Sequence, residues 1–171
     1  MKAILFDLGN TLIDDQDNPL PGALEMLTEV QNLRDDKGKL VALGLISDFT
    51  MPQTPEQIEP IKEEYYGILR QAGIAIFFEP LAQRVTLSTE VGVTKPHKKI
   101  FRTALDKIQP ELLLHDGIFI TENPDHIVAA RQLGMMAIHV KGLGQPHGEV
   151  EKLVDLVPLI KHLVKFAPCC K

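Results

Sequence analysis

Apolar residues are distributed along this chain in two alternating patterns. Short, nearly unbroken apolar runs at 2–7, 40–47, 84–88, 117–121 and 135–140 read as strands buried on both faces. The segments between them carry helical spacing instead. Ala23, Leu24, Leu27, Val30 and Leu33 follow Pro21-Gly22 as one helical stripe. Thr54-Pro55-Glu56-Gln57 has the form of a capping box with proline at the first helical position, predicting a helix to about residue 71 that exits at Gly73. Pro96 opens a helix whose apolar face is Ile100, Phe101, Ala104, Leu105 and Ile108, and Asn123-Pro124 opens another that Gly134 closes. Val150, Leu153 and Val154 begin a last helical region, which Pro158 breaks or restarts. Strands alternating with helices predict an α/β fold: a Rossmann-like, doubly wound parallel sheet of five strands, flanked by helices and joined by right-handed crossovers. No internal repeat, low-complexity tract or linker interrupts the pattern, so 1–171 reads as a single domain.

Composition narrows the partners. With 44% hydrophobic and 24% charged residues the chain is ordinary for a globular domain that buries most of its apolar surface. A formal net charge of −5 opposes a nucleic-acid backbone, and Lys95, Lys98, Lys99 and Arg102, the densest basic group, belong to a single helical segment. Neither nucleic acid nor membrane is expected as a partner. Asp7 interrupts the first apolar run too early for a secretory signal, and no apolar stretch reaches transmembrane length. Cys169 and Cys170 sit together beside the C-terminus, where they cannot staple a core, so a reducing cytoplasm is the expected setting.

The candidate chemistry gathers where the strands end. Ligands of an open parallel sheet bind beyond the carboxyl ends of its strands. The first strand ends at Asp7, just before Gly9-Asn10. The second ends at Ser47-Asp48, Thr94-Lys95-Pro96 follows the third, and the fourth ends at Thr121-Glu122-Asn123. Each has a plain structural reading: Asp7 or Ser47 capping a turn, Lys95 in solvent, Glu122 beside a helix N-terminus. Together they make a set that can bind a divalent cation through acidic oxygens and a phosphoryl group through a hydroxyl and an ammonium.

These residues lie in segments that resemble the motifs of the haloacid dehalogenase (HAD) superfamily. The segments are Phe6-Asp7-Leu8-Gly9-Asn10-Thr11-Leu12, Leu45-Ile46-Ser47-Asp48, the stretch from Leu87 to Pro96 with Ile100-Phe101, and Phe119-Ile120-Thr121-Glu122-Asn123-Pro124 followed by Ala129 to Met135. The resemblance covers nearly the whole chain. It implies a Mg²⁺-dependent phosphatase with Asp7 as nucleophile and an aspartyl-phosphate intermediate. Ser47 and Lys95 would hold the phosphoryl oxygens, and Asp7, the Gly9 carbonyl and Glu122 would hold the metal. Three positions depart from the family pattern. Gly9 stands where phosphatases usually carry a second Asp as general acid, Asp48 replaces an Asn, and Thr121 stands where an acid is common. Two other classes therefore remain open: a non-catalytic regulator or scaffold on the same fold, and a metal-independent dehalogenase-type hydrolase.

The resemblance also bears on the substrate. There is room for only a short flap at 15–19 and a modest extra segment at 49–59, read either as a connection or as a small lid. Such minimal-cap or capless members imply a bulky phosphorylated substrate or a second copy of the chain that closes the site. His97, next to Lys95-Pro96, and His147, in the Gly-rich stretch 142–148, are expected at the surface, and His97 is the first suspect if another group replaces the missing acid.

Overall fold

The computed structural model describes residues 2–140 and 152–165. In chain order its regular elements are β1 (Ala3–Phe6), α1 (Ala23–Val30), β2 (Ala42–Ser47), α2 (Ile58–Gln71), the single turn α3 (Leu81–Arg84), β3 (Val85–Leu87), a second single turn α4 (Ser88–Val91), α5 (Lys98–Ile108), β4 (Gly117–Thr121), α6 (Pro124–Gln132), β5 (Met136–His139) and α7 (Val157–Lys165). All five strands form one parallel sheet in the order β3-β2-β1-β4-β5. The chain runs outward from β1 through β2 to β3, then crosses back to lay β4 against the other side of β1. The carboxyl ends of β1 and β4 therefore flank the point where the winding reverses, which is where such sheets form a crevice.

Strand alternation divides the core into two layers. Ile4, Phe6, Leu43, Leu45, Ile118 and Ile120 face α1, α2 and α7, while Ala3, Leu5, Ile46 and Phe119 face α5 and α6. Each face is fully covered, which is why the strands read as continuous apolar runs.

One detail differs from the sequence pattern. In α1 the buried stripe is Ala23, Met26, Leu27 and Val30, and Leu24 turns outward at 40% exposure. The helix starts at Ala23, not before it, because Gly22 holds a left-handed conformation (φ 79°) that ends the preceding turn. Pro158 restarts the last helical region, as the sequence pattern allows: a 3₁₀ turn over Leu153–Leu156 gives way to α7, of which Pro158 is the second residue, where no backbone N–H is needed. His147, the stretch 142–148, Val150, Cys169 and Cys170 lie outside the described residues. No helix among the described residues is long and apolar enough to cross a membrane.

The start of segment 49–59 is tied to the body of the domain, while most of its residues beyond Thr50 are exposed. Phe49 N–H donates to the Ser88 hydroxyl (2.9 Å), which donates back to the Phe49 carbonyl (3.1 Å), and the Thr89 hydroxyl donates to the Thr50 carbonyl (2.7 Å). Gln57 accepts from the Gln53 and Thr54 N–H groups and so starts the helical turn as the capping pattern predicts.

Candidate active site

Asp7 follows the last residue of β1 and is anchored there by its N–H, which donates to the Ile120 carbonyl on β4 (2.9 Å). Its side chain is 10% exposed, and its two carboxylate oxygens face different environments. Oδ1 accepts from the Lys95 ammonium at 2.7 Å and from the Leu8 N–H at 2.9 Å. Oδ2 accepts from the Thr121 hydroxyl at 3.0 Å and has the His126 ring nitrogen Nδ1 at 3.8 Å. Burial pushes the Asp7 carboxyl up. The neighbouring His126 ring, the charge and hydrogen bond of Lys95 and the Thr121 hydroxyl outweigh it and hold the group below its ordinary value. At 3.8 Å the imidazole is too far for a direct hydrogen bond, so its influence is that of a nearby polar ring. Asp7 is thus an ionised carboxylate in a largely water-free setting, the state a nucleophile requires.

Lys95 reaches this spot because its loop is tied down at both ends of the residue. Its N–H donates to Asp48 Oδ1 (2.8 Å), and its ammonium donates to the Ile46 carbonyl (3.0 Å) as well as to Asp7. Two of the three ammonium protons are committed, which leaves one for an incoming oxygen. Asp48 also stands 3.9 Å from the same ammonium through its other oxygen.

Ser47 closes β2, and its hydroxyl accepts from the Tyr65 phenol on α2 at 2.6 Å. Tyr65 is 2% exposed and burial pushes its phenol upward, so it remains a donor at any physiological pH. A phenol that always donates leaves the serine proton free for another acceptor. Phe49 stacks edge-on against the Tyr65 ring (centroids 5.1 Å apart, 74° between planes) and fixes it. Tyr65→Phe should keep the fold but free the Ser47 rotor, lowering kcat about 3- to 10-fold, the equivalent of about one net hydrogen bond. Steady-state kinetics of the variant, with an unchanged melting curve as control, checks this.

Glu122 follows β4. Its Oε2 accepts from the Thr11 hydroxyl (2.6 Å) and lies 3.2 Å from the Thr121 hydroxyl, and its N–H donates to Thr11 (3.1 Å). Thr121 therefore bridges the Asp7 and Glu122 carboxylates, its single proton serving one of them at a time. Thr11 and Thr121 are both fully buried. Gly9 borders a cavity of about 240 Å³ beside the crevice, whose wall also includes Asp14, Asp15, Asp17, Ser47 and Tyr65. The short flap predicted at 15–19 thus reaches this cavity through Asp15 and Asp17.

The structure brings Asp7, Lys95, Thr121 and Glu122 together in one hydrogen-bonded chain, with Ser47 at the neighbouring strand end. It takes His97 out of the set. That residue is exposed and caps α5, its Nδ1 accepting from the Lys99 N–H at 3.1 Å. In its place stands His126, a residue the sequence reading passed over. Its Nδ1 is buried without a hydrogen-bond partner. The available signal was its position four residues after Glu122, in the first turn of the helix that Asn123 caps.

A divalent cation fits this donor set. Asp7, Asp48 and Glu122 set three formal negative charges against the one ammonium of Lys95. Among the described residues no group of three or more His, Cys, Asp or Glu side chains is placed to hold a metal ion. A cation at Asp7 and Glu122 would therefore complete its shell with backbone carbonyl and water, as hard cations do.

No protein-family model and no curated protein matches the chain. Solved structures do. A HAD-superfamily hydrolase from Ehrlichia chaffeensis is 16% identical with a TM-score of 0.65, the match covering 96% of this chain and 100% of that one. An uncharacterized protein from Corynebacterium glutamicum is 20% identical with a TM-score of 0.55, covering 93% and 94% of the two chains. YfnB of Bacillus subtilis, assigned as a HAD-hydrolase and described as bound to magnesium, is 16% identical with a TM-score of 0.57, covering 85% of this chain and 55% of that one. At such identities the likeness establishes the fold: this chain has the Rossmann-like α/β fold of the HAD-superfamily hydrolases.

Proposed function

We propose that this chain is a Mg²⁺-dependent phosphatase that acts through an aspartyl-phosphate on Asp7. The observation that carries the reading is the buried pair of Asp7 with Lys95, 2.7 Å apart at the reversal point of the sheet, with Ser47 and Glu122 on either side. An ionised, desolvated carboxylate next to a lysine with a free N–H is suited to attack a phosphorus whose oxygens that lysine holds. The magnesium-bound neighbour adds support for the cation.

In the first step an Asp7 oxygen forms a bond to phosphorus as the ester oxygen departs on the opposite side. Lys95 and the Ser47 proton hold the non-bridging oxygens and offset the charge that gathers there. In the second step a water oxygen attacks phosphorus and the bond to Asp7 breaks, which regenerates the carboxylate and releases inorganic phosphate; one water proton stays on the phosphate and the other balances the proton that the departed ester oxygen takes up. Asp7, the Gly9 carbonyl and Glu122 would hold Mg²⁺, which when bound neutralises phosphoryl charge and aligns the group for attack. Thr11 and Thr121 keep the Glu122 carboxylate turned toward Asp7.

The cavity beside Gly9 is about 240 Å³, at the small end for a ligand site, so part of a bulky ester would lie outside it. The test is turnover of a panel of aryl, acyl, sugar and alkyl phosphates, with Mg²⁺ and after chelation, beside a halogenated acid. Phosphate release that needs the cation is expected. Halide release without a cation would favour the dehalogenase class, and no turnover of any ester would favour the scaffold.

A further inference from the structure

We propose that a cavity at the amino end of β2, away from the crevice, is a binding site for a small carboxylate with an apolar body, held by the Arg84 guanidinium. It stands apart from the phosphatase reading, since none of its residues belongs to that site. The starting point is an unspent cation. Arg84 closes α3, and its Nη1 is buried without a hydrogen-bond partner. The other four arginines of the chain each have an acceptor, a backbone carbonyl for Arg34 and Arg131 and a carboxylate for Arg70 and Arg102. Burial pushes the Arg84 guanidinium down from its ordinary value, and no neighbouring acid pushes it back. It stays charged all the same, because a guanidinium does not lose its proton in proteins. A desolvated charge without a counter-ion is costly, and an anion offsets that cost.

Strand register leaves room for the cavity. β3 runs beside β2 only at Leu45–Ser47, so the first half of β2 has no strand on its outer side. A cavity of about 310 Å³ is lined there by 40–43, Gln31, Phe77, Glu79 and Arg84. Ala42 and Ser47 are the two ends of β2. Five steps of roughly 3.3 Å put them about 16 Å apart. A ligand in this cavity therefore lies clear of the crevice.

The lining selects the ligand. Leu40, Val41, Leu43 and Phe77 supply an apolar wall, and Leu40 is 49% exposed, which leaves apolar surface for a ligand to cover. One guanidinium matches one negative charge, and its planar fork pairs with both oxygens of a carboxylate. A phosphate dianion would bring a second charge with no second cation on the wall to meet it. Glu79, the one acid on the wall, adds to that repulsion. Its Oε2 is engaged at the other end of α3, where it accepts from the Leu81 N–H at 3.2 Å. The volume is at the small end for a ligand site, which suits a short-chain or single-ring acid.

Hexanoate is the probe, titrated calorimetrically into the full chain without divalent cation or phosphate ester. A Kd of about 0.1–1 mM is expected, with inorganic phosphate at least about 10-fold weaker. Arg84→Met keeps the apolar stem and removes the charge, so it should weaken hexanoate at least about 10-fold and leave turnover of an aryl phosphate within about 2-fold. Glu79→Gln removes the acid on the wall and should tighten hexanoate about 2- to 5-fold. Should the methionine variant fail to fold, Arg84→Lys, which keeps the charge and loses the fork, should still weaken binding about 3- to 10-fold. The proposal is overturned by no binding up to about 10 mM hexanoate, by affinity unchanged in the Arg84 variants, or by affinity lowered in Glu79→Gln. Hexanoate that slows turnover equally in the native chain and in Arg84→Met would be bound in the crevice, which overturns it as well. None of these results bears on the phosphatase reading, which stands or falls on ester turnover.

Discussion

Asp7→Asn is expected to lower turnover by about 10⁴-fold or more and to destabilise the protein at the same time. The first effect follows from chemistry: an amide does not form the acyl phosphate, and loss of a nucleophile removes the covalent route outright. The second follows from the structure. The Lys95 side chain is 2% exposed and has Asp7 as its close counter-charge, with the next carboxylate, Asp48, at 3.9 Å. Breaking a buried pair by removing one partner costs about 3–5 kcal/mol in the extreme case. Asn retains an acceptor oxygen and Asp48 remains, so a loss of about 1–3 kcal/mol is expected, or a Tm lower by roughly 3–10 °C. The pH dependence carries a sign. Because the Asp7 carboxyl is held below its ordinary value, its contribution to stability is full above the ordinary carboxylate range and is lost as pH falls through the lowered value. The stability gap between native protein and variant should therefore narrow in acid. Thermal unfolding across pH, with kinetics at a temperature where both forms are folded, checks each part. Near-native turnover by the folded variant would end the phosphoenzyme reading.

Gly9→Asp should change which esters the protein cleaves. With no side-chain acid at position 9, the departing oxygen carries more negative charge in the transition state. kcat/KM should therefore fall steeply as the pKa of the leaving alcohol rises, with acyl, anomeric sugar and aryl phosphates ahead of alkyl ones. General acid catalysis is worth about 10²–10⁴ in rate, or roughly 3–5 kcal/mol of barrier. Restoring the acid should raise alkyl esters by that order, aryl esters by less than about 10-fold, and flatten the dependence. The local backbone permits the test. Gly9 is not among the glycines with positive φ, and a Cβ placed there meets no atom within 4 Å. The residue also borders the cavity next to the crevice, so the new carboxyl points into usable space. A series of phosphate esters measured on both forms decides it. A shallow dependence in the native protein would mean another group supplies the proton, and alkyl rates unchanged in the variant would mean position 9 does not reach the leaving oxygen.

Much of this architecture was legible from local pattern. β4 was read to the residue, as 117–121, because its five residues are buried on both faces and a glycine and a polar residue bound it. The α6 helix was read from Asn123-Pro124, whose side-chain oxygen does accept from the Asp125 and His126 N–H groups. Where local pattern misled, a neighbour decided. Leu24 fits the helical stripe, yet Met26 is the residue turned into the core. His97, expected at the surface although it follows Lys95-Pro96, is exposed there and caps α5 with its ring nitrogen.

The sequence by itself determined that Asp7, Ser47 and Glu122 stand at or just beyond strand ends. That is a property of each strand alone: an apolar run must stop where a polar side chain needs solvent, a cation or a partner. Which of these ends are neighbours was decided by the tertiary structure, because strand order depends on how helices cover the two faces of the sheet. The crossing that places β4 beside β1 puts the Thr121 hydroxyl between Asp7 and Glu122, 114 residues of sequence separating the first pair. The same crossing brings His126 to within 3.8 Å of Asp7 Oδ2. A histidine on a capped helix has no local mark that tells a buried residue from a surface one. Only its burial against a distant carboxylate does.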